Sequence, residues 1–138
     1  MSPSFNHAYI QVNLGALFKA MPEYSAFSEL TLTINGADYV PDLVVYPKRP
    51  VTYYHDVLKM TDIPLLIVEI LSPTQGMQEI IDTFVIYLQA GVKSCWLAQP
   101  YGQSVMVWTS PETYTHVVEG DLVDNALGLR VPLAQIFA

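Results

Sequence analysis

The chain has 138 residues, of which 51% are hydrophobic and 14% charged, with a formal net charge of −7. That length buries a core without a structural metal, and the single Cys95 excludes a disulfide framework. The acidic balance excludes the broad basic footprint of backbone-driven nucleic-acid binding, and no apolar run approaches the roughly 20 residues of a membrane span.

From Ser4 to about Lys19, His7, Ile10, Leu14 and Leu17 recur at helical spacing, which predicts a helix with these four toward the core. A histidine on that stripe is either satisfied by a backbone carbonyl or set near a functional site. Met21-Pro22 ends the helix. Ser28 to Ile34, with Leu30, Leu32 and Ile34 alternating, predicts a half-buried strand. Asn35-Gly36 predicts a hairpin turn, and Ala37 to Tyr46 an antiparallel return strand. In that return strand Val40, Asp42, Val44 and Tyr46 share a face, while Pro41, with no ladder donor, marks a strand start, an edge or a bulge. Pro47 to Thr61 reads as a connecting loop; its His55-Asp56 pair has no further ligand at useful spacing and reads as solvated polarity.

Pro64 to Thr74, PLLIVEILSPT, predicts a buried strand broken by one acid, Glu69. Ser72 or Thr74 can cap a following helix from about Gln75 to Ala90, with Gly91 as its stop. Met77, Ile80, Ile81, Phe84, Tyr87 and Leu88 form its core face, and Glu79 and Asp82 its solvated one. Strands follow at Ser94 to Gln99 and Ser104 to Thr109, and another near Tyr114 to Val118 carries an exposed, structural His116. The tail from Gly120 gives a turn, a short extended piece and a final apolar helical turn. The order helix, hairpin, strand, helix, strands implies one α/β or α+β domain over residues 1–138, built on a mixed sheet.

Asp42 and Glu69 are each a lone acid in an apolar segment. An ionised carboxylate there is costly unless a cation or several donors meet it. Together they suit a hard cation such as Mg2+, which takes one or two carboxylates, keeps several waters, and polarises a phosphodiester. The alternative is a structural pair satisfied by backbone donors or by Lys and Arg.

Pro41-Asp42, IVEILSP at Ile67 to Pro73 and YLQAGVKSCWL at Tyr87 to Leu97 resemble the bacterial putative restriction endonuclease family of the PD-(D/E)XK nuclease superfamily. The resemblance runs from His7, on a helix that in the family also carries a His near its start, to LGLRVPLAQIF at Leu127 to Phe137. A further N-terminal segment usual in the family is expected to be absent. The resemblance implies a restriction-endonuclease-like mixed sheet flanked by helices. It also implies Mg2+ or Mn2+ held by Asp42, Glu69 and the backbone carbonyl of Ile70, and hydrolysis of DNA. A catalytic lysine is implied too, and here the sequence departs: the superfamily position is Leu71, and the family's relocated position, on the following helix, is Thr83.

Three outcomes follow from that departure. Lys48 or Lys59 reaches in from the loop as an accessory cation, with His7 as a further accessory group. Or the metal site persists with slow hydrolysis. Or the chain is a catalytically inactive relative serving as a dimeric binding or assembly module. A small-phosphoester hydrolase would want a phosphate-cradling glycine loop, which the sequence lacks. The apolar surplus and the resemblance together lead us to expect a homodimer. MSPSFNHAYI lacks the basic-then-apolar order of a secretory signal, so the cytoplasm is the expected compartment.

Overall fold

A computed structural model describes residues 4–138; residues 1–3, which open the segment read for a secretory signal, lie outside the described residues. Ser4 caps α1 (Phe5–Lys19) by accepting the His7 backbone N–H, and the helix buries His7, Ile10, Leu14 and Phe18. Phe18 replaces the expected Leu17 because it lies about three full turns from His7 and so returns to the same line. Leu17 packs at the edge of that stripe.

SELTLTI does not form one strand. The chain first builds β1 (Tyr24–Ser28), a segment with no alternation to announce it, and then turns at Glu29, whose φ is 52°. β2 (Leu32–Ile34) pairs with β3 (Ala37–Tyr39) as a separate two-stranded hairpin. Its turn is Asn35 at φ 52° and Gly36 at φ 79°, two left-handed residues as a tight primed turn requires. The expected return strand also divides. β3 stays with the hairpin, β4 (Leu43–Pro47) joins the main sheet, and Val40 to Asp42 cross between them. Val40 is therefore exposed, and Asp42 precedes a strand instead of sitting within one.

β5 (Leu66–Ile70) is followed by α2 (Met77–Gln89), β6 (Ser94–Gln99), β7 (Ser104–Ser110) and β8 (Thr113–Val117). The N-cap of α2 is neither of the expected residues, Ser72 or Thr74. Ser72 to Gln75 closes a turn first, Gln75 N–H donating to the Ser72 carbonyl, and Gly76 becomes the N-cap without a side-chain bond. Gly91, at φ 112°, ends that helix region as expected. The main sheet has six strands in the order β1-β4-β5-β6-β7-β8, with β5 and β6 parallel and every other pair antiparallel.

Strand alternation sorts the core into two layers. Leu43, Val45, Leu66, Val68 and Trp96 face α1 and the tail, which consists of β9 (Asp121–Asp124), β10 (Leu129–Pro132) and α3 (Leu133–Ile136). Val44, Tyr46, Ile67, Cys95 and Leu97 face α2 and the β2–β3 hairpin. The tail hairpin is tied to the sheet by Asp124, which is fully buried. Its Oδ2 accepts from the Ser94 hydroxyl and from Trp96 Nε1, and its Oδ1 from the Leu127 N–H. Among the described residues no helix is long and apolar enough to cross a membrane.

Candidate active site

β4 and β5 run antiparallel, and at one end their ladder stops with Leu43 opposite Val68. One further step in that register brings Asp42 to Glu69. There side chains continue what backbone began: Asp42 N–H donates to Glu69 Oε1 at 2.8 Å, and Ile70 N–H donates to Asp42 Oδ2 at 2.7 Å. Each carboxyl group thus occupies a backbone donor at the point where the two strands part. The Asp42 carbonyl is held in turn by the Glu29 N–H at 3.2 Å and by Gln11 Nε2 at 3.0 Å. Pro41 stands in the crossing before β4, outside any ladder, where its missing donor is not required.

α1 supplies the third side. His7 is 5% exposed, and its Nε2 lies 3.0 Å from Asp42 Oδ2, so its partner is a carboxylate and not a backbone carbonyl. With Nε2 donating there, Nδ1 is a buried nitrogen with no partner among the described residues. Gln11 had no signal in the sequence beyond its position one helical turn after His7.

Burial, and then the charge of Asp42, push the Glu69 carboxyl up to about 8, against the pull of the Asp42 N–H; a hydrogen bond between the two carboxyl groups adds to the rise. Tyr87, on α2, and Cys95, on β6, are both driven upward by burial first and by Glu69 second, so neither offers a charge to the pair. Thr83 Oγ1 donates to the Glu79 carbonyl within α2, a bond back onto its own helix.

The cations stand elsewhere. Lys59 pairs with Asp38, Arg49 with Asp62 and Arg130 with Asp121. Lys48 is exposed past the far end of β4, about 20 Å along the strand from Asp42. His55, Asp56, Glu79 and Asp82 are exposed, and Asp56 and Asp82 accept only local donors.

The donor set suits a hard divalent cation. Both side chains offer oxygen, and two touching carboxyl groups lack the positive charge that would let both ionise. A residue's N–H and C=O face the same neighbour in an extended strand, so the Ile70 carbonyl is directed to the side where its N–H meets Asp42. Among the described residues no group of three or more His, Cys, Asp or Glu could hold a metal, so an ion here would rest on two carboxylates, a carbonyl and its own waters.

The six-stranded mixed sheet with helices on both faces is a fold that this chain shares with a solved putative nuclease. The chain belongs to the Uma2 family, described as putative restriction endonuclease, whose model matches residues 1–134. Among solved structures five chains match. One is the crystal structure of a putative nuclease belonging to DUF820 from Anabaena variabilis, with a TM-score of 0.83 and 24% identity, covering 99% of this chain and 83% of that one. No curated protein matches the chain.

Proposed function

We propose that this protein is a metal-dependent endonuclease that hydrolyses DNA phosphodiester bonds, with Asp42, Glu69 and the Ile70 carbonyl holding Mg2+ or Mn2+. The observation that carries the reading is the reciprocal pairing of the two acids across the end of the β4–β5 ladder. When bound, such an ion polarises the phosphodiester and activates a water. The chain's own residues provide the frame. Ile70 N–H and His7 fix the Asp42 carboxylate, Gln11 and Glu29 fix its backbone, and Asp42 N–H fixes Glu69. A ligand held from several sides keeps its geometry as charge develops.

No ammonium group joins that frame, because Thr83 stands at the family's lysine position and its hydroxyl is turned onto Glu79. Loss of one charge stabiliser lowers rate by roughly a hundredfold or more, so slow hydrolysis is expected. Residues 1–138 act as one domain in this reading, in the cytoplasm and as a homodimer. Phe5, Tyr53, Tyr54 and Leu58 are exposed apolar side chains available to a second copy.

A second reading, an inactive dimeric binding or assembly module, is favoured by one observation: no Lys or Arg among the described residues is paired with Asp42 or Glu69. The two are separated by cleavage of plasmid and single-stranded DNA with magnesium or manganese, wild type beside Asp42→Asn. The nuclease reading expects metal-dependent cutting that the variant loses. No cutting, or equal cutting by both, gives the second reading.

A further inference from the structure

Beyond the end of β5 that carries Glu69 lies a cleft of about 1340 Å³. Its wall includes Leu71, one residue after Ile70, and Asn6, the neighbour of His7, so it opens from the same strand end as the site. Its chemistry differs sharply from a phosphate groove. Asn6, Gln75, Gln99 and Gln103 line it, whereas no Lys or Arg among the described residues does. Glu119 on its wall further disfavours an anion, while the Asp121 charge is met by Arg130.

A carboxamide both donates and accepts in one plane, which is the pattern that base edges present. One of the four is already oriented. The Ser104 hydroxyl donates to Gln99 Oε1 at 3.2 Å, and His116 Nε2 lies 3.0 Å from that hydroxyl, which fixes the orientation of the Gln99 amide on the cleft wall. The β6–β7 turn adds an aromatic face, Tyr101, which is 100% exposed. In that turn Gln103 holds a φ of 49°, a conformation glycine adopts without strain. Phe137 supplies an apolar surface.

We infer that this cleft receives unpaired nucleobases from the strand whose phosphate reaches Asp42 and Glu69, making single-stranded nucleic acid the substrate class of the site. The inference rests on the nuclease reading for the neighbouring phosphate. It also resolves the charge problem. A chain of net charge −7 lacks a broad basic surface for phosphates, and base stacking with carboxamide hydrogen bonds provides an alternative that a paired, stacked duplex cannot satisfy.

The test is equilibrium binding by fluorescence anisotropy, in chelator so that no cleavage occurs. The probes are a short single-stranded oligodeoxynucleotide, an abasic strand of equal length and a duplex. The base-bearing single strand should bind about tenfold or more tightly than either competitor, with a shallow salt dependence. Gln103→Gly, which relieves the positive φ and so preserves the fold, and Gln99→Leu should each reduce that preference about fivefold without changing abasic binding. Asp42→Asn should retain the preference. A base preference in a protein that never cuts would keep the cleft as a base-binding site but remove the nuclease reading and, with it, the substrate role; cutting without base preference would overturn the inference and leave the nuclease reading standing. Equal affinity for the abasic strand, or folded Gln99 and Gln103 variants that bind as wild type, overturns the inference. So does sedimentation showing that Tyr101→Ser dissolves a dimer, since the cleft would then be a self-association surface.

Discussion

Replacing Glu69 with glutamine should make the metal-free protein more stable, and increasingly so as pH rises. Glu69 is raised from its ordinary 4.5 to about 8, chiefly by burial and then by Asp42. At about 1.4 kcal/mol per unit that difference corresponds to roughly 5 kcal/mol, and solvent reaching the half-buried side chain reduces the expected effect to about 2–3 kcal/mol. Because the folded value lies above the unfolded one, the folded state holds the extra proton across that interval. The contribution is complete below the unfolded value near 4.5 and is lost as pH rises through about 8. The amide of the Glu69→Gln variant cannot ionise, yet its oxygen can still accept the Asp42 N–H and its NH2 can face the Asp42 carboxylate. Urea unfolding in chelator should give matching stabilities near about pH 5, and a variant more stable by about 2–3 kcal/mol near about pH 9. Parallel stability curves for the two proteins across that range would refute the placement of Glu69 in a charge-starved pair.

Magnesium at about ten times its dissociation constant should stabilise the wild type by roughly 1.4 kcal/mol, seen as a rise in Tm, and Asp42→Asn should abolish the rise. Thr83→Lys should increase metal-dependent cleavage about tenfold to a hundredfold, since it restores an ammonium group at the family position. A folded, metal-binding Thr83→Lys protein with unchanged cleavage would show that the site has decayed beyond one residue. Asp124→Ala should cost about 3–5 kcal/mol in urea unfolding because it leaves the Ser94 and Trp96 donors buried without an acceptor and frees the part-buried Leu127 N–H; a loss below about 1 kcal/mol would mean that water or repacking satisfies them.

The parts of the fold that follow a period were legible in the chain. The helix spacing of His7, Ile10 and Leu14, the Asn35-Gly36 turn and the apolar runs of β5 and β6 all led to elements at the expected places. What could not be read was where a strand changes partners. SELTLTI alternates well enough to look continuous, but pairing is decided by distant segments, and the chain turns at Glu29 to join β1 to one sheet and β2 to another. The same ambiguity placed Asp42 inside a strand, whereas it lies in the crossing that precedes β4. For the site, a lone acid in LIVEI was signal enough to mark Glu69, because burial makes such a residue expensive. Asp124 carried no comparable mark: DLVD has the look of a solvated turn, and its burial comes from Ser94 and Trp96, roughly 30 residues away.

The crossed bonds between Asp42, Glu69 and Ile70 also act as a check on assembly. They form only when β4 and β5 pair in one register, and a slip of a single residue would send the two acids to opposite faces of the sheet. A misaligned molecule would therefore carry no paired carboxylates at all. On the nuclease reading proposed above, errors in folding would then produce inert chains and not carelessly active ones, a useful property where the chemistry could damage the cell that makes the protein.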